Sequence, residues 1–122
     1  MNEKMIEVEY KGKKYPLIFT LNCMEEIQEK YGSLSDWYDK LGKNDDDKEP
    51  SIKDLKYGML LMINEGIEIK NEDVQKEEDK MPLIDLKTVG RIITALGLRE
   101  ASNKIGETIK SSSETGEEAK NE

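Results

Sequence analysis

The sequence predicts an α+β fold, mainly α: an N-terminal β-hairpin packed on a small bundle of four or five short helices. Three observations predict it. Two runs of alternating apolar residues open the chain around a glycine turn, and apolar residues then recur at helical spacing. Ser, Asn or Asp stands where each helical stretch begins. A length of 122 residues suits a single domain, and residues 1–110 read as that domain.

The hairpin comes first. Ile6, Val8 and Tyr10 alternate with Glu7 and Glu9, as in a half-buried strand, and Tyr15, Leu17, Phe19 and Leu21 repeat the pattern. Between them lies Lys11-Gly12-Lys13-Lys14, whose glycine can take the positive φ that a tight turn needs. A lone hairpin is marginal in water, so this one must pack on the helices downstream.

Five helical stretches make up the remainder. Asn22 reads as the cap of the first, with Glu25 three residues on; Met24, Ile27 and Tyr31 share a face beside Cys23, and Gly32 stops it. Ser33 caps the second, whose stripe is Leu34, Trp37, Tyr38 and Leu41 before Gly42. A charged loop, Lys43 to Glu49, ends at Pro50. Ser51 then caps the third and most hydrophobic helix, carrying Ile52, Leu55, Met59, Met62 and Ile63, widened by Leu60 and Leu61. That width places it at the centre of the bundle, and Gly66 is expected to end it. Residues 68–80 are strongly charged, with Asn71 as a weak cap signal. Asp85 caps a fourth helix bearing Leu86, Val89, Ile92, Ile93 and Leu96 up to Gly97. The fifth, thin in apolar residues and interrupted by Gly106, runs from Leu98 through Ala101 and Ile105 to about Ile109. Residues 111–122 lack any large apolar side chain and read as a disordered acidic tail.

Composition narrows function. The net charge of −8 would repel a nucleic-acid duplex or an anionic membrane, and Lys11 to Lys14 reads as a solvated turn. The apolar run Met59 to Ile63 is far too short to span a bilayer, and no signal peptide opens the chain, so a cytoplasmic location is expected. There is no histidine, which removes the commonest general base, and a single cysteine, Cys23, which removes a Cys-rich zinc site. The Asn44-Asp45-Asp46-Asp47 cluster lacks the ligand spacing of a calcium loop. With no nucleophile–base constellation and no phosphate loop, the expectation is a protein-binding domain, not an enzyme, without a cofactor.

Several residues are candidates for the partner surface. Trp37 and Tyr38, the adjacent aromatics, could form a hot spot or the core of a helical hairpin. Met59, Leu60 and Met62 could fill the core or line an adaptable groove, and Ile105 lies on the thin fifth helix, which could need a partner to form.

The order of these motifs resembles a known family. Tyr15-Pro16-Leu17-Ile18-Phe19-Thr20-Leu21-Asn22 runs into Met24-Glu25-Glu26-Ile27, then Tyr31-Gly32-Ser33-Leu34 with Trp37, then the helix Leu55 to Gly66. In this arrangement residues 5–110 are similar to the tail assembly chaperones of long-tailed (siphovirus-type) bacteriophages and related prophages. The resemblance implies that the protein binds the tape-measure protein, keeps its hydrophobic helices in solution and helps recruit tail-tube subunits. Many members of that family are made in two lengths by a programmed frameshift, and the acidic end of this chain has the character of a short form. Two other readings stay open: a minor structural or connector protein of a phage tail, which would remain in the virion, and an unrelated acidic protein-binding adaptor. Self-association is also open, since no coiled-coil heptad demands it.

Overall fold

The computed structural model describes residues 5–43 and 49–121, with side chains through residue 112. The acidic stretch Asn44 to Asp47 lies outside the described residues. Two strands, β1 (Ile6–Tyr10) and β2 (Lys13–Leu17), precede five helices: α1 (Leu21–Tyr31), α2 (Leu34–Lys40), α3 (Ile52–Asn71), α4 (Leu86–Leu96) and α5 (Leu98–Asn121). The chain is mainly α with an N-terminal hairpin, as its periodicities predict.

The strands pair antiparallel, with Val8 opposite Tyr15 and Tyr10 opposite Lys13. Lys11 (φ 53°) and Gly12 (φ 75°) make the connection, both in the left-handed region that a two-residue hairpin turn favours. Val8, Tyr15 and Leu17 point into the protein, and β2 lies across α3.

α3 is the central element, touching β2, α1, α4 and α5. Leu55, Met59, Met62, Ile63 and Ile67 are buried along it. Around them close Ile27 of α1, Trp37 of α2, Val89 and Ile92 of α4, and Ala101 and Ile105 of α5. Each fully buried side chain of Leu, Ile or Met size stabilises by about 1.5–3 kcal/mol, so α3 anchors the fold.

Glycine explains how tightly the elements approach. A Cβ on Gly66 would stand 3.0 Å from the Pro16 carbonyl oxygen, and one on Gly58 would stand 2.1 Å from the Trp37 ring. The sequence makes Gly66 the expected end of the helix. Instead α3 continues to Asn71, because a helix tolerates glycine at a cost of about 1 kcal/mol when close packing repays it.

Caps fall partly where the sequence puts them. Ser33 accepts from the Asp36 amide and Asp85 from the Thr88 amide. α1, however, starts at Leu21 with Thr20 as its cap residue, not at Asn22. The fifth helix also runs past residue 109, where its large apolar residues end. α5 continues to Asn121, and the half-buried Ser112 donates its hydroxyl to the Phe19 carbonyl at 2.6 Å. Once Ala101, Ile105 and Ile109 have nucleated a helix, propagation adds one hydrogen bond per residue without needing further apolar anchors.

Candidate functional site

The residues nominated from sequence for a partner divide sharply. Trp37, Met59, Met62 and Ile105 are at most 1% exposed. They belong to the core, where the periodic stripes that single them out pack within the protein. Trp37 is held further by its indole N–H, which donates to the Asp54 carbonyl at 3.2 Å, and by the Tyr38 ring stacked 5.9 Å away. Only Tyr38 and Leu60 remain half-exposed.

The apolar surface that does face solvent comes from other residues. Leu21 is 84% exposed, Leu83 51%, Ile52 48%, Leu86 46% and Leu98 42%. Scattered exposed leucines are ordinary in themselves. Two grooves give some of these a setting.

The larger groove, about 440 Å³, lies between α1 and α3. α1 contributes Asn22, Cys23, Glu25 and Glu26; α3 contributes Leu60, Leu61, Asn64, Glu65 and Glu68, which recur on one helical face. The third wall is Leu83, from the segment joining α3 to α4. This segment has no regular structure around Leu83, yet it is fixed at two points. Asn71 accepts from the Met81 amide at 3.0 Å and donates to the Met81 carbonyl at 2.9 Å. Asn64, seven residues earlier on α3, does the same for Ile84, at 2.9 Å and 3.1 Å. Met81 and Ile84 are half-buried against the core, and Leu83 stands out between them.

Charge in the groove has one sign. Four carboxylates line it, and no Lys or Arg is among the described residues that do so. Glu65 accepts from the Thr20 hydroxyl at 2.6 Å and the Asn22 amide at 3.2 Å, both neutral donors. It thereby sits at the N-terminus of α1, whose cap residue bonds no backbone amide with its own side chain. Glu25, Glu26 and Glu68 are exposed.

Cys23 forms part of the floor and is buried. Burial pushes its thiol pKa up, with Glu65 and Glu26 adding to the rise against hydrogen bonds from Thr20 that lower it. The thiol stays protonated, which fits a packing role and not a nucleophile.

A second groove, about 300 Å³, is formed by Ile52 and Lys56 of α3, Gly90, Ile93 and Thr94 of α4, and Gly97 and Leu98 at the α4–α5 corner. It is more apolar and carries one lysine. Among the described residues no group of His, Cys, Asp or Glu is placed to hold a metal ion, and no helix is long and apolar enough to cross a membrane.

No sequence pattern announces Leu83 or Asn64, and Asn71 stands out only as a weak cap signal, whereas its side chain instead holds Met81. Met81-Pro82-Leu83-Ile84 reads as a lead-in to α4, and a side-chain-to-backbone clamp between residues 64 and 84 has no periodic signature. Comparison with protein-family models, curated proteins and solved structures finds no match to this chain.

Proposed function

We propose that this protein is a phage tail assembly chaperone, acting in the cytoplasm of the host cell, that binds the tape-measure protein and helps bring tail-tube subunits to it. The observation that carries the reading is the open groove between α1 and α3, in which Leu60, Leu61 and a rigidly held, exposed Leu83 meet a rim of carboxylates. An amphipathic helix offers such a groove its apolar face, the usual mode by which a helical client is sheltered. The hydrogen-bonded segment that carries Leu83 adds affinity because little ordering of it remains to be done on binding.

The motif order of residues 5–110 supports the same reading through its resemblance to that family. The groove's own chemistry suits binding: burial raises the pKa of the Cys23 thiol, and Glu25, Glu26 and Glu68 stand exposed to meet a partner.

Co-expression tests the proposal. A long helical tape-measure protein should stay soluble with this protein and precipitate without it. Leu83→Asp should return it to the pellet while the variant itself stays folded, since Leu83 is half-exposed. A tape-measure protein equally soluble with and without its partner would refute the chaperone role. Purified virions should lack the chain; its presence there would favour the connector reading.

A further inference from the structure

We propose that the α1–α3 groove selects a cationic client helix: a partner segment with Leu or Met on the face that enters and Lys or Arg along its flanks. The proposal rests on the chaperone reading above, since it characterises the client that reading requires.

Charge complementarity around an apolar floor carries it. Leu60, Leu61 and Leu83 offer surface for the buried face of a helix, and Glu25, Glu26, Glu65 and Glu68 stand on both sides of them. Glu25 and Glu26 rise from α1 and Glu65 and Glu68 from α3, so a helix lying in the groove meets carboxylates along both flanks. The side chains that donate to Glu65 are neutral, and among the described residues of the groove's lining no cation offsets the rim. An acidic client would bring like charges together at low dielectric, which discriminates between partners more strongly than it adds affinity. A cationic flank also places Lys or Arg where their aliphatic stems can lie on Leu83.

The second groove makes the contrast. Its described lining has no carboxylate and one lysine, Lys56, so it gives no such preference. The selectivity therefore belongs to one face of the molecule, although the whole chain is acidic.

Two labelled helical peptides with the same Leu face, one with Lys flanks and one with Glu flanks, test this by fluorescence anisotropy on the full chain. The Lys peptide should bind at least roughly tenfold more tightly at about 0.1 M salt, and the preference should shrink at about 1 M salt. The double variant Glu25→Lys with Glu68→Lys leaves two carboxylates facing two ammonium groups and should abolish the preference. Both residues are exposed, so the urea midpoint should hold. Leu83→Ser should weaken both peptides alike. Amide shifts on titration should centre on Leu61, Asn64 and Leu83.

Equal binding of the two peptides overturns the proposal, as does a preference that survives the double charge reversal. Self-association that displaces the Lys peptide would also overturn it, making the groove a seat for a second copy. The two readings fail separately. Tape-measure protein kept soluble without any charge preference would refute only the cationic selection. A Lys preference with no effect on tape-measure solubility would refute the chaperone role and leave the groove's selectivity standing.

Discussion

Asp54 carries its charge almost out of reach of water, at 4% exposure. Burial alone would raise its pKa, but hydrogen bonds from Tyr31 and Ser51 and the charges of Lys53 and Lys40 outweigh that and hold it below the usual carboxylate range. The Tyr31 hydroxyl donates at 2.5 Å. Because the folded state binds this proton less readily than the unfolded state, Asp54 stabilises the fold at pH values above its unfolded pKa of roughly 4. That contribution fades as pH falls through the folded value. Tyr31→Phe should therefore cost about 1.5 kcal/mol at neutral pH, and the deficit should narrow in urea titrations below roughly pH 4. A deficit constant from neutral to acid pH would show that the hydroxyl, not the ionised carboxylate, carries the effect. Gly58 makes a second residue-scale case. Alanine would gain about 1 kcal/mol of helix propensity, yet its methyl would collide with the Trp37 ring, which is fully buried and cannot swing aside. Overpacking should win, and Gly58→Ala should lose roughly 1–3 kcal/mol in chemical denaturation.

Elements show how far the sequence can be read. The hairpin, the Ser33 and Asp85 caps and the Gly32 and Gly97 stops are legible because each follows from local geometry: alternation, an amide needing an acceptor, or a positive φ. α3 is legible as the central helix for the breadth of its apolar face. The same breadth hides the site. Periodicity tells that Met59 and Met62 are apolar at the right spacing, but not that neighbouring elements would cover them while leaving Leu60 and Leu61 to line a groove. Gly66 misleads because a stop and a close approach use the same residue for different reasons. The connector before α4 is illegible since its order comes from tertiary hydrogen bonds. Asn64 and Asn71 supply them, each replacing one step of a β-ladder for Ile84 and Met81. Asn64→Ala should raise amide exchange at Ile84, and Asn71→Ala at Met81, with each leaving the other protected. Asn64→Asp keeps an acceptor for the Ile84 amide and should retain most of that protection. Exchange rates at both sites unchanged in the alanine variants would mean that packing alone orders the segment.

At the scale of the molecule, the apolar side chains fall into two sets, one buried and one facing solvent. The interior set is the one periodicity finds: Leu17, Ile27, Trp37, Met59, Ile63, Ile92 and Ile105 are buried on one another across the hairpin and the five helices. Removing a buried side chain costs its transfer free energy and leaves a cavity that neighbours refill only in part, so Ile105→Ala should lose about 2–5 kcal/mol. Of the outer set, Leu21, Ile52, Leu83 and Leu98 gain little on folding because much of each side chain stays in water. A chain with all four changed to Ser should unfold within about 2 kcal/mol of the original in urea, with an unchanged slope, since single surface substitutions usually stay within about 0.5 kcal/mol each. The same chain should lose its hold on a helical client. Loss of several kcal/mol in the four-serine chain would instead assign these side chains to the core's support, and the separation of the two sets would fail with it.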